Sequence, residues 1–473
     1  MCARFMYLHQ LRIRNLRCFE RANLTFVVPS TPSPPAAIGP LFGVPPLAPS
    51  RPLRVPNINL LLGDNGAGKT TVLRAIALSL LGPLMEHNSG WVPYYMTRRK
   101  GDQVAPRAEL RPNIRLHEQD EPRRPTHPVW EELEQLMPGI SADNYDVGPS
   151  TLQITIERKL DLEILRVREL GNNRLSLDGL YNEASPGFFV LGYGATRRTE
   201  SGESFDSSAR SKSRITRYQR VAGLFEDHIT LAPLSSWLPI VEDEAPQRFD
   251  EIQALFNRLL PETVELISTK RRTNPKLLSP HLGGDRNRYL FRFGESEIPF
   301  AALSDGYRAY AGWIGDMLYH LNTACPLGMP LTECRGVVMV DEVDLHLHPS
   351  WQRIVVDTLS QTFPRLQFIL TTHSPIVAGT LEPDNIWVLE SQEDGSVTPR
   401  RYHERIFGLS ADQILTSSYF NLLTTRAPEA ENEISALAQR VANGDSDAGL
   451  EALRRLTGNG NGKERPSEEG IVP

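Results

Sequence analysis

The chain has 473 residues, and 51 Lys and Arg against 57 Asp and Glu give a formal charge of −6, which excludes coating of nucleic acid through bulk electrostatics and confines any DNA contact to local patches. Met1 to Phe19 carries four arginines and no uninterrupted apolar core, so it does not read as a secretory signal; the longest apolar helix candidate, residues 72–81, is about half a bilayer span. Cys2, Cys18, Cys325 and Cys334 form no CxxC pair, as expected of isolated reduced thiols in a cytoplasmic chain.

Residues 7–15 alternate as a strand does, and residues 22–28 read as the antiparallel partner, so residues 1–28 open the fold as a β-hairpin. Residues 29–56 are rich in Pro, Ala, Gly and Ser and read as a surface insertion. Within residues 57–200, Ile58 to Leu62 form a short apolar strand and residues 70–81 a helix closed by Gly82-Pro83. Residues 129–136 suit a short helix, residues 152–158 and 162–168 a hairpin, and residues 188–193 a buried strand. Residues 201–299 read as an inserted helical lid, with an amphipathic helix over residues 249–260. Over residues 300–415 a helix to Leu321, strands at 336–340, 367–370 and 386–389, and a helix at 351–359 alternate, which implies crossovers and a parallel sheet. Residues 416–473 form a helical extension with a polar tail. The fold class is α/β, a parallel core with an antiparallel β layer.

Gly63-Asp64-Asn65-Gly66-Ala67-Gly68-Lys69-Thr70 fits the Walker A pattern between a strand and a helix. Its glycines let backbone N–H groups turn toward phosphate, aided by the helix N-terminus that Thr71 continues. Lys69 supplies a point charge to the β- and γ-phosphates, and the Thr70 hydroxyl suits Mg2+. Residues 336–340 deliver Asp341 and Glu342 at a strand end, where Asp341 would hold Mg2+ and Glu342 would deprotonate the attacking water. His373, after the next strand, reaches the same sheet edge, where an imidazole can polarise a phosphate.

Leu303-Ser304-Asp305-Gly306-Tyr307-Arg308 resembles the signature of ABC-type ATPases and precedes the Walker B strand as in that family. Asp341-Glu342-Val343-Asp344-Leu345-His346-Leu347-His348-Pro349 resembles RecF, OLD and related bacterial AAA-labelled ATPases more than transporter subunits. The resemblance covers about residues 7–28, 57–82 and 300–390. It implies a P-loop head with an inserted helical lobe that uses ATP and Mg2+ and hydrolyses ATP. Ser304 and Gly306 would then act on nucleotide held by a partner protomer, and Asp344 would be the D-loop aspartate at the interface. The resemblance further implies an ATP-dependent homodimer or higher oligomer, in DNA repair or anti-phage defence, beside a separate nuclease or toxin effector and with DNA as a candidate partner. No membrane partner is expected; an ATPase subunit of a transporter is the competing reading, and an ATP-gated binding module with negligible turnover a third.

Gln153 and Gln219 are both candidates for the family's Q-loop glutamine. No sustained heptads support an SMC coiled coil, and about 80 residues after the His373 strand leave too little room for the Toprim domain of OLD nucleases, so no nuclease activity is expected. His346 and His348 lack a third ligand at metal spacing and read as shaping a turn. Two basic clusters, Arg210 to Arg220 and Lys270 to Lys276, could meet phosphates or form a solvated face; Arg197 and Arg198 follow a buried strand near the expected nucleotide.

Overall fold

The computed structural model describes residues 5–29, 53–88, 91–117, 150–160, 162–170, 189–198, 216–261, 263–271, 288–445 and 447–451. The helix candidate at 129–136, nearly all of the Pro-rich insertion, Arg210, Lys212, Arg214, Arg272 and Lys276 lie outside the described residues. Met1–Ser410 make one compact unit and Ala411–Pro473 a second.

Two sheets organise the first unit. β1 (Phe5–Leu16) and β2 (Phe19–Thr25) join β6 (Arg107–His117), β7 (Ser150–Lys159) and β8 (Leu162–Leu170) in an antiparallel sheet of order β2-β1-β6-β7-β8. Alternation sets its faces: Leu11 and Ile13 are buried while Arg12 and Arg14 face out. There Arg12, Arg14, Arg21 and Arg111 line a surface hollow of about 510 Å³ together with Glu109. The ribbon β4 (Arg99–Lys100) and β5 (Gln103–Val104) lies between β1 and β6 in the chain.

The second sheet runs β16-β15-β3-β14-β13-β9, from β3 (Ile58–Gly63), β9 (Val190–Tyr193), β13 (Gly336–Val340), β14 (Leu366–Thr371), β15 (Ile386–Ser391) and β16 (Val397–Arg400). All its pairings are parallel except β15 with β16. Strands buried on both faces need apolar runs, and β13 is wholly buried.

Helix α1 (Lys69–Asn88) touches β6, β7 and β8 on one side and β3, β9 and β14 on the other. It therefore runs past Gly82-Pro83 rather than stopping there. Interior Pro costs about 3 kcal/mol, but a helix packed between two sheets recovers more by burial. Gly82 is part of the fit, since a Cβ there would meet Val167 and Ile154 at 3.1 and 3.2 Å.

The lobe after β9 contains α2 (Thr216–Ala222), α3 (Leu234–Glu244) and α4 (Pro246–Leu259), and adds an antiparallel sheet of β10 (Val264–Ser268), β11 (Tyr289–Phe293) and β12 (Ser296–Pro299). Of its basic residues, Arg217 and Arg220 are buried and Lys270 is paired with Asp243, so these three do not form an open basic face. α5 (Asp305–Ala324) returns the chain to β13. The helix expected over residues 351–359 is two pieces, α6 (Pro349–Gln352) and α7 (Val355–Thr362), with Arg353 and Ile354 between them. α8 (Pro375–Ala378) follows β14. Cys325 and Cys334 are free and buried, and Cys325 Sγ donates to Met329 O at 3.4 Å. The second unit holds α9 (Ala411–Leu415) and α10 (Pro428–Ala442). Among the described residues no helix is long and apolar enough to cross a membrane.

Candidate nucleotide site

In a parallel sheet every strand releases its following loop at one edge, which makes that edge the natural ligand site. Here the loops after β3, β9, β13 and β14 meet there. After β3, Gly63 to Gly68 turn into α1 with Asp64, Asn65 and Gly66 exposed and Ala67 buried beneath them. Gly66 and Gly68 have φ of +81° and +84°, a region that strains residues with a Cβ. At Gly68 space also demands glycine, because a Cβ would lie 2.5 Å from Cys18 Sγ. Lys69 is 7% exposed, and its Nζ donates to the carbonyls of Gly63 at 2.8 Å and Asp64 at 3.0 Å. Burial lowers its pKa, while Asp341, Glu342, Asp64 and Asp344 pull it back up. Thr71 is buried in the first turn of α1.

The Thr70 hydroxyl donates to Asp341 Oδ2 at 2.5 Å, joining residues 271 positions apart in the chain. Thr371, at the end of β14, donates from Oγ1 to Asp341 Oδ1 at 2.6 Å and accepts the Glu342 N–H at 2.7 Å. One threonine thus orders both acids. Glu342 has φ of +50° and is half-buried. Thr372 Oγ1 donates to Asp344 and accepts the Ser374 N–H at 2.9 Å, fixing the turn that carries His373, which is exposed. Ser374 caps α8 by accepting from Ile376 and Val377. Thr70 and Asp341 present a hydroxyl and a carboxylate side by side, a hard oxygen set that fits Mg2+.

Ser304 and Gly306 start α5 beside the turn after β13: a Cβ on Gly306 would come within 2.8 Å of His346 O. Ser304 occupies the N-cap position but makes no capping bond through its side chain and is exposed. Tyr307 and Tyr310 of α5 pack on Trp351, with ring centroids 4.4 and 5.9 Å apart. His348 caps α6, its Nδ1 accepting the Ser350 N–H at 3.3 Å. No group of three His, Cys, Asp or Glu among the described residues is placed to hold a metal.

Gln153 lies within β7, opposite Arg168 in the five-stranded sheet, and Gln219 lies in α2. The strand beside β13 is β9, and the loop leaving it carries Arg197 instead. Thr371 and Thr372 were not singled out from the sequence; two threonines closing a buried apolar strand beside a motif histidine were the available signal.

Residues 10–120 match a protein family described as "AAA domain", and residues 183–378 one described as "AAA domain, putative AbiEii toxin, Type IV TA system". The first match holds residues 63–70, the second Ser304, Gly306, Asp341, Glu342 and His373. The chain is thus similar to AAA domains over two separate stretches. The chain is 25% identical over 372 residues to Septu protein PtuA of Bacillus mycoides (strain KBAB4), covering 77% of its own length and 41% of that protein. It is 42% identical over 89 residues to the "Retron Ec83 probable ATPase" of Escherichia coli, covering 19% of its own length and 16% of that protein. The chain thus spans less than half of either relative. Among solved structures, an SMC head bound to the C-terminal winged-helix domain of ScpA aligns at 14% identity and a TM-score of 0.45, over 84% of this chain and 98% of that one.

Proposed function

We propose that this chain binds and hydrolyses ATP with Mg2+ and uses the cycle as an ATP-gated dimeric switch. The observation that carries the reading is the hydrogen-bonded set Thr70, Asp341, Thr371 and Glu342 at one sheet edge. The backbone N–H groups of Gly63 to Thr71 would cradle the phosphates, and Lys69 would exchange its two loop carbonyls for phosphate oxygens. Thr70 and Asp341 would hold Mg2+, which offsets phosphate charge when bound. Glu342 takes a proton from the attacking water; its oxygen bonds to the γ-phosphorus as the bond to the bridging oxygen breaks and ADP leaves. His373 faces outward on the turn after β14 and polarises a γ-phosphate oxygen.

Ser304, Gly306 and Asp344 serve the partner protomer's nucleotide and the dimer interface. The exposed, uncapped Ser304 hydroxyl supports that role, since it is spent on nothing in its own helix. The biological setting is DNA repair or anti-phage defence in the cytoplasm, with a separate nuclease or toxin effector and with DNA. Similarity to a Septu protein and a retron ATPase supports the defence arm.

The test is the molar mass of Glu342→Gln by light scattering, with and without ATP and Mg2+, beside phosphate release by the wild type. ATP should double the mass, Ser304→Arg in the same background should abolish the doubling, and Glu342→Gln should lose about 100-fold or more in turnover. A mass indifferent to both ATP and Ser304 overturns the switch.

A further inference from the structure

β9 is the edge strand beside β13, and the Asp341 N–H donates to Tyr193 O at 2.9 Å, so the loop leaving β9 runs directly behind the two acids. That loop is tightly held. A Cβ on Gly194 would lie 2.2 Å from Gly223 O, and the Leu231 N–H donates to Arg198 O at 2.9 Å. Between these anchors Arg197 turns inward, and its Nη2 donates to the carbonyl oxygens of Asp341, at 3.1 Å, and of Glu342. Its guanidinium also lies 5.8 Å from the ring centre of Trp313 in α5.

Glu342 is one of few non-glycine residues here with positive φ, a conformation that persists only where the surroundings hold it. Its N–H is held by Thr371 and its carbonyl by Arg197 and the Leu345 N–H. Removing Arg197 takes away a charged donor from this turn. Burial pulls the Arg197 pKa down to about 10, against the opposing influence of Asp341, Asp344 and Glu342. It is still a cation at neutral pH, set among three carboxylates that must accept a triphosphate beside them.

The contacts continue into α5. The Tyr193 hydroxyl donates to Asp316 Oδ2 at 2.8 Å, and Asp316 Oδ1 accepts the Ala232 N–H at 2.7 Å. The acids, the start of the inserted lobe and the helix that carries Ser304 therefore share one buried polar chain.

We propose that Arg197 is a positioning residue that locks the Glu342 turn in its left-handed form and ties that turn to α5. The proposal rests on the reading of Glu342 as the base. The test compares Arg197→Met, Arg197→Lys and wild type in steady-state phosphate release, alongside hydrogen exchange over residues 341–347. Arg197→Met should lower kcat by about 100-fold, as for a base misplaced by an ångström, with KM within about threefold of wild type. Arg197→Lys should recover part of kcat, because an ammonium keeps the charge and can donate to the carbonyls that Nη2 serves but lacks the planar guanidinium set beside Trp313. Exchange over 341–347 should quicken in Arg197→Met and less in Arg197→Lys.

An unchanged kcat, or a rise in KM at constant kcat, overturns the proposal, as does unaltered exchange in a folded variant. If Arg197→Met does not fold, the Lys variant decides on the same readouts. A wild type without turnover whose exchange still responds to Arg197 would sink the hydrolysis reading and leave the locked turn standing.

Discussion

Thr371 brings no charge to the site, yet its hydroxyl touches both acids, and it is fully buried. Thr371→Val keeps the shape and removes the hydroxyl, which leaves the Glu342 N–H and one Asp341 oxygen without this partner. Each such loss costs about 1–3 kcal/mol, so urea denaturation should show a drop of that order and turnover should fall about 10- to 100-fold. Thr371→Ser should hold both. A Val variant equal to wild type in both measurements would show that Thr371 does not order the acids. The phosphate loop, Asp341, Glu342 and His373 were legible in the sequence because each stands in a contiguous motif at a strand end. Thr371 and Arg197 act on Asp341 and Glu342 from 30 and 144 positions away, and no local pattern reports such a contact. The place of Arg197 after a buried strand is legible in the sequence, but its bonds to the carbonyls of Asp341 and Glu342 are not.

Elements were legible where their period was unambiguous. β13 has the bounds its apolar run implies, whereas α1 overruns a Gly-Pro pair that reads as a stop only for a helix facing water. Glu163 in β8 shows a tie of the second kind, invisible in any period. Its carboxylate accepts the Met96 N–H at 2.7 Å and, from Thr97, the N–H at 2.9 Å and the hydroxyl at 2.6 Å, pinning the chain before β4. Burial raises its pKa, but these bonds and Arg99 outweigh burial and hold it below the ordinary glutamate value. A carboxyl depressed in the folded state stabilises fully above its unfolded pKa, about 4.3, and the contribution vanishes as pH falls through the lower folded value. Glu163→Gln should therefore lose about 1.5–3 kcal/mol at pH 7, since an amide offers one acceptor oxygen and turns an NH2 toward donors. The gap to wild type should close below about pH 4. Urea midpoints at pH 7 and at several acid values measure both, and a gap independent of pH would refute the charged role.

At the scale of the molecule the question is what keeps two sheets in register around one helix. Apolar burial on both sides of α1 supplies most of the attraction but no direction. Gln367, fully buried in β14, supplies the direction. Its Oε1 accepts the Leu8 N–H at 2.9 Å, and its Nε2 donates to Leu8 O at 2.8 Å and Val27 O at 2.9 Å. β2 begins pairing with β1 only at Gln10, and the register with β6 shifts between Leu8 and Gln10. Gln367 thus stands in for the missing strand partner, across 359 residues. An apolar Gln367→Met fills the volume but orphans the Leu8 N–H and carbonyl, while Val27 O keeps the bond from Asn59 Nδ2, and should cost about 2 kcal/mol or more. Gln367→Glu should fare no better, because a carboxylate accepts from Leu8 but cannot donate to two carbonyls. Equilibrium denaturation measures the loss. Hydrogen exchange at Leu8 locates it: protection should fall there first, ahead of β3 and β14, if the glutamine is what fastens β1 to the parallel core. Uniform loss of protection across both sheets would mean that packing around α1 fixes the register unaided.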